Sequence, residues 1–341
     1  MTDSSRNFFT SFHLKLTALI CMIIDHIGYT MPLGRLVSPM RAIGRTAFPL
    51  YAFMAAEGCR RTRNREHYLF RLGLLALVSE IPFDLAFNGG DINFFSRTNV
   101  FYTLLFAVAS VHIYETLHRR NHAFQMLAIG YFGAFIAFCL LMAQFVTGGS
   151  AYPVIMMIFL YLAGLLAGCR YLQTYEENST ENFVSNVLSF LPLLPVLALS
   201  VFIGCDYELF GVLLILCIYI AGTRRRQIAV LCAGVVYEYG LSPVLDTLRY
   251  EGAYIDMGTI PRLGFALVSV LLVMFYNGRR GKNVKWAFYW AYPIHIAILA
   301  ALSRLFFREL RTSGRSETEK AFQNKKRRGI QEYGYPLLFT G

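Results

Sequence analysis

Apolar residues run through this chain in long blocks, not in the alternating or one-faced patterns of a soluble fold. The blocks cover 16–31, 46–59, 68–87, 99–117, 123–146, 151–169, 184–203, 209–222, 228–245, 260–276 and 286–303. Most approach the roughly 20 residues that a helix needs to cross a hydrocarbon core, and short polar or Gly/Pro-bearing turns separate them. Block 209–222, at 14 residues, is short for a span and reads equally as a half-helix or a re-entrant piece. The pattern predicts an all-α, polytopic membrane helical bundle with ten or eleven transmembrane helices.

Composition agrees: 56% of the 341 residues are hydrophobic and only 16% are charged, more apolar than a soluble core requires. Charge then supplies a topology. Lys and Arg number 32 against 21 Asp and Glu, and the excess gathers in particular loops: Arg60, Arg61, Arg63, Arg65 and Arg71; Arg119 and Arg120; Arg224 to Arg226; Arg279, Arg280, Lys282 and Lys285. With eleven spans these loops share a side with the N-terminus, which the positive-inside rule assigns to the cytosol. The basic balance thus points to membrane lipids as partners and not to nucleic acid. The tail is basic too (Arg311, Lys325 to Arg328), which suits ten spans better than eleven. Residues 1–307 read as one transmembrane domain and 308–341 as a basic polar tail, disordered or lying on the membrane surface. The first span carries Lys15 at its start and Asp25 and His26 within it, and no small-residue cleavage pattern follows it, so it reads as a retained helix. The seven cysteines stand singly, without ligand spacing, so neither disulfides nor a metal site is expected.

Ionisable groups are costly in a bilayer, and here they cluster in the first third of the chain. Lys15 and His26 stand eleven residues apart, close to three whole turns, and so share one helix face roughly 16 Å apart. Asp25 is turned about 100° from His26, which suits a partner on another helix, Arg41 or Arg45, better than His26 itself. Glu80 and Asp84 align two carboxylates across Pro82; they can bind an amine or neutralise arginines, and the ion-pair reading is slightly ahead. Glu57 ends the second block beside the Arg-rich turn, again suggesting an ion pair. Arg60, Arg61 and Arg63 are most simply a cytosolic anchor, and alternatively a phosphate-binding lip for a cytosolic cofactor. His295, after Tyr292 and Pro293 in the last block, is a second and weaker histidine candidate. A lone intramembrane histidine is as often a buried imidazole tied to a carbonyl as a reactive group; the charges around His26 tilt it towards function. No Walker A loop, HExxH, GxSxG or GxGxxG occurs, so ATP-driven, zinc-protease and serine-hydrolase chemistries fall away.

The run from Leu14-Lys15-Leu16 to Asp25-His26-Ile27-Gly28, then Arg41-Ala42-Ile43-Gly44-Arg45-Thr46-Ala47-Phe48-Pro49-Leu50, Glu57-Gly58 and Ser79-Glu80-Ile81-Pro82-Phe83-Asp84-Leu85, resembles the TraX family. The likeness continues through Asn99-Val100-Phe101, Asp206-Tyr207 and Tyr292-Pro293-Ile294-His295, and so covers about 12–305. That family is named for a conjugation protein that acetylates the N-terminus of pilin, and is related to the type 3 membrane acyltransferases, whose first span carries a basic residue, ten intervening residues and a histidine. Lys15 and His26 match that spacing with lysine in place of arginine.

The resemblance implies an acyltransferase-3-like bundle moving an acetyl group from cytosolic acetyl-CoA to an amine or hydroxyl of a surface acceptor, a pilin N-terminus or a glycan. His26 would be the base, with Lys15 and Asp25 in the catalytic group. Lys15, Arg60, Arg61 and Arg63 would hold the donor, and Arg41, Arg45, Glu57, Glu80, Asp84 and His295 would line the acceptor's place. Two other readings stay open. One is a secondary transporter with an Asp25, His26, Glu80 and Asp84 relay, against which stands the lack of internal repeats. The other is a non-catalytic assembly protein for a surface polymer.

Overall fold

Wherever an apolar block falls on residues that the computed structural model describes (8–88, 97–118, 191–245, 258–282 and 284–312), a helix forms. In chain order these are α1 (Ser11–Thr30), α2 (Val37–Gly44), α3 (Ala47–Arg61), α4 (Arg65–Phe87), α5 (Val100–His118), α6 (Leu194–Phe202), α7 (Glu208–Ile220), α8 (Arg224–Val236), α9 (Thr259–Met274) and α10 (Lys285–Thr312). A π-helical turn, Tyr237–Leu241, extends α8. Among the described residues the only β-type pairings are two isolated bridges, Phe9 with Tyr276 and Thr98 with Cys205. The fold is all-α. The expected spans 123–146 and 151–169, the start of 184–203, the loop arginines Arg119 and Arg120 and the tail beyond Thr312 lie outside the described residues. Helix α10 runs past 307, the expected domain edge, to Thr312.

Helix α2 belongs to no apolar block, because Ser38 and Arg41 interrupt its eight residues. Helix α4 continues through Pro82, whose missing N–H leaves one carbonyl of the preceding turn without its helical donor.

The chain forms two compact units, with boundaries between Met54 and Ala55 in α3 and between Leu77 and Val78 in α4. The first holds α1, α2, the start of α3, the end of α4, and α8 to α10. In it α1 packs on α2 and α10, α2 on α9, and α9 on α8. Glycine permits the closest of these approaches. A Cβ on Gly44 would fall well under 3.0 Å from the Asp25 side chain, and one on Gly28 would sit 2.9 Å from Met40 Cβ. The second unit holds the end of α3, the start of α4, and α5 to α7. There α5, α6 and α7 pack on one another around the fully buried Phe106, Ile113, Leu199 and Ile215. Asn99 caps α5: its side-chain oxygen accepts from Phe101 N–H at 3.0 Å, and its amide donates to Ala76 O at 2.8 Å.

Three helical stretches among the described residues are long and apolar enough to cross a membrane: Ser11–Thr30, Arg224–Leu245 and Trp286–Phe306. Val100–Thr116, Glu208–Ile220 and Thr259–Met274 are apolar but shorter. This is fewer than ten or eleven spans, for a physical reason beyond the undescribed blocks. Helix α3 has only 15 residues and carries Glu57, Arg60 and Arg61 in its last turns, and α4, though 23 residues long, carries Arg71, Glu80 and Asp84. Along α10, Trp286, Trp290, Ile294, Ile298, Leu302 and Leu305 form one exposed stripe at three- and four-residue spacing. Water would penalise such a stripe and lipid would not. The chain is an all-α membrane protein.

Candidate functional site

The first and last described helices meet at a pair of histidines in the first unit. His26, near the C-terminal end of α1, brings Nδ1 to 2.8 Å from Nε2 of His295 on α10. The rings stack with centroids 5.0 Å apart and planes 9° from parallel. Both are half-buried, and aromatic rings wall them in: Phe87 meets His26 edge-on at 5.0 Å, and Tyr292 stands 6.1 Å from His26 and 5.5 Å from His295. Phe87 is itself braced by Tyr29 and Phe83.

The hydrogen bonds assign the protons. Nδ1 of His295 lies 2.7 Å from Ala291 O, and a carbonyl only accepts, so that nitrogen carries a proton. Neutral His295 therefore presents an acceptor at Nε2. The bond to His26 must then be donated by His26 Nδ1–H, which puts the lone pair of neutral His26 on its Nε2. A proton arriving at Nε2 would make an imidazolium whose Nδ1–H already has an acceptor. This is the arrangement a general base needs.

Beside this pair Asp25 is locked to α2, as its angular offset from His26 on α1 leads one to expect. Arg41 donates to Asp25 Oδ2 at 2.6 Å and Arg45 to Oδ1 at 3.1 Å, so one carboxylate serves two guanidiniums. Arg41 also stacks over Tyr29 at 4.8 Å, and Arg45 Nε donates to Arg41 O. Asp25, proposed from sequence as catalytic, and Arg41 and Arg45, proposed as substrate-binding, are thus joined to one another in a brace beneath the histidines. Glu80 and Asp84 are fully buried on α4, and Asn88 donates to Asp84 Oδ1 at 2.6 Å. Lys15 is half-buried on α1, about three turns before His26.

The other expected donor-binding residues belong to the second unit, where most have structural work. Arg60 donates to the carbonyls of Ile218, at 3.1 Å, and Tyr219, and stacks on the Tyr219 ring, so it caps the C-terminal end of α7. Arg61 pairs with Glu57 one turn earlier on α3. Arg63 is exposed in the turn before α4. Arg65, which sequence reasoning treated only as part of the basic loop, is tied to Glu115 and to the Tyr219 hydroxyl. Phe87 was also missed; its only signal was a position one turn after Phe83 at the end of a charged helix.

A probable fimbrial assembly protein FimC, serogroup H1, of Dichelobacter nodosus is 25% identical over 309 residues, covering 87% of this chain and 97% of that protein. No solved structure matches. Residues 11–175, which include Lys15, His26, the Asp25 brace and Asp84, match the model of the TraX protein family.

Proposed function

We propose that the chain is a multi-pass membrane acetyltransferase, with its N-terminus in the cytosol, in which His26 is the general base. The observation that carries this reading is the His26–His295 pair with its proton pattern set by Ala291 O. Acetyl-CoA, as donor substrate, supplies a thioester carbonyl. As the acceptor's nitrogen or oxygen attacks that carbon, its proton passes to His26 Nε2 and the carbon–sulfur bond breaks. His26 then returns the proton to the departing thiolate, so the products are the acetylated acceptor and a free thiol. His295 holds the His26 ring and its Nδ1 proton through the cycle, and the Phe87 and Tyr292 rings limit water around it. Buried Glu80 and Asp84 favour an amine acceptor, which attacks in its neutral form, and Lys15 is the cation on the His26 helix suited to the donor's phosphate-bearing arm. The TraX match and the fimbrial assembly relative both favour a pilin-related acceptor.

The relative's name also suits a second reading, a non-catalytic assembly protein. The purified chain in lipid nanodiscs, given acetyl-CoA and a pilin N-terminal peptide or surface glycan, separates the two through release of free thiol. His26→Ala at normal expression is expected to lower the rate by about 100-fold or more. A wild-type rate in His26→Ala removes His26 from the chemistry. No thiol release by the unaltered chain with any acceptor favours assembly.

A further inference from the structure

Among the described residues, the three helical stretches able to cross a membrane begin at the same end of the first unit. The strand-like residue Phe9, just before α1, pairs with the segment after α9: Phe9 N–H donates to Phe275 O at 3.1 Å and Asn277 N–H to Phe9 O at 2.8 Å. The first N–H groups of α1, Ser11 and Phe12, donate to the carbonyls of Arg279 and Arg280. Gly281 makes this seam possible with φ 72°, and a Cβ there would strike Thr10. Phe12 meets Phe288 near the start of α10 at 5.9 Å. Arg224, at the start of α8, lies between the Phe53 and Tyr276 rings at 4.7 and 4.8 Å and donates to Val273 O at 2.6 Å.

This seam gathers charge of one sign. Arg225, Arg226, Arg279, Arg280 and Lys282 are all exposed there, and none makes a salt bridge among the described residues. The first turns of α1, α8 and α10 hold no acidic residue. A helix N-terminus carries partial positive charge and ordinarily attracts acids, so three such ends beside these cations leave a positive field that no acid in their first turns offsets. Trp286, 62% exposed, and Phe8, 69% exposed, stand at the same level, where aromatic rings mark the boundary between lipid and water.

We propose that these five side chains form a phosphate-binding rim at the membrane surface. Its ligand is a phosphate monoester, diester or diphosphate, from an anionic phospholipid headgroup or from a soluble polyphosphate. Arg225 and Arg226 follow Arg224, which donates to Tyr276 O at 3.3 Å, three residues before Arg279, so two adjoining segments each supply a pair of guanidiniums of the kind that binds phosphate oxygens. The inference stands apart from the catalytic role of His26.

The test replaces the rim in the full chain with Arg225→Gln, Arg226→Gln, Arg279→Gln, Arg280→Gln and Lys282→Gln. Arg35→Gln, in the turn beyond the opposite end of α1, is the control for net charge, and thermal unfolding of each detergent-purified protein checks the fold. One arm counts phosphatidylglycerol against phosphatidylcholine adducts by native mass spectrometry; the other measures inorganic pyrophosphate binding by equilibrium dialysis. The rim variant is expected to lose phosphatidylglycerol or pyrophosphate binding by roughly tenfold or more, with salt weakening the unaltered protein in the same arm. Loss in the lipid arm identifies the headgroup as the source, and loss in the dialysis arm the soluble phosphate. Unchanged binding in both arms, or an equal loss in Arg35→Gln, overturns the proposal. If the five-fold variant fails to fold, the pairs Arg225→Gln with Arg226→Gln and Arg279→Gln with Arg280→Gln are measured instead, under the same criteria.

Discussion

His295 acts on His26 through a single acceptor nitrogen, and a substitution can remove that acceptor while keeping an aromatic side chain of comparable size. His295→Phe leaves the His26 Nδ1 proton without this partner, and kcat for acetyl transfer is expected to fall about 10- to 100-fold, as when other orienting partners of a working imidazole are lost. His295→Gln, whose side-chain oxygen accepts from Nδ1–H, is expected to recover much of the rate. Steady-state kinetics of the two variants, with circular dichroism to check helicity, decides the matter; equal rates in Phe, Gln and unaltered proteins would take His295 out of the mechanism. At this scale the sequence was half legible. The offset of Asp25 from His26 on one helix was enough to direct it towards Arg41 and Arg45. The histidine pair was not, because 269 residues separate its members and a single sequence carries no trace of that contact. Phe87 looked like any phenylalanine in an apolar block until a ring was placed against it.

Helix α2 is what turns the Asp25 side of α1 into a brace, and glycine sets how near it comes. Gly44→Ala drives a methyl into the Asp25 carboxylate, which two arginines hold in place, so α2 must move away and the brace must loosen. The expected loss is about 2 kcal/mol or more, within the range for overpacking a close contact, read as a fall in unfolding temperature of the detergent-purified chain. Gly28→Ala presses only on Met40 Cβ, at 2.9 Å, with Val37 O and Arg41 Cγ at ordinary contact distances of 3.6 and 3.8 Å, and is expected to cost less. A reversal of that order would place the strain elsewhere. The long apolar blocks were legible because a span leaves a composition signal over about 20 residues. Eight residues with a serine and an arginine among them leave none, so α2 emerged only in the structure. Arg60 shows the same limit from another side: a sequence displays a cation, and only the fold shows the carbonyls of Ile218 and Tyr219 that receive it.

For the molecule as a whole, the stripe on α10 and the basic seam at its start imply a direction in the bilayer. In a background without native cysteines, Arg225→Cys and Arg279→Cys are expected to react with a membrane-impermeant maleimide from the cytosolic side, while Ile294→Cys and Ile298→Cys stay protected in lipid. Labelling of the first two from opposite sides would contradict the shared seam. The fold class was legible across the described residues, whereas the number of spans was not, since block 209–222 is short for a span and forms a helix of only 13 residues, Glu208–Ile220. The histidine pair has one further consequence, for the timing of synthesis. His26 emerges early and His295 only 269 residues later, an interval on the order of half a minute at ordinary translation speed. Until the last helix is inserted, the His26 imidazole has no partner from α10 to fix its tautomer. A chain interrupted before that point would lie in the membrane with His26 unassisted, so under the proposed mechanism an unfinished copy would transfer acetyl groups only slowly.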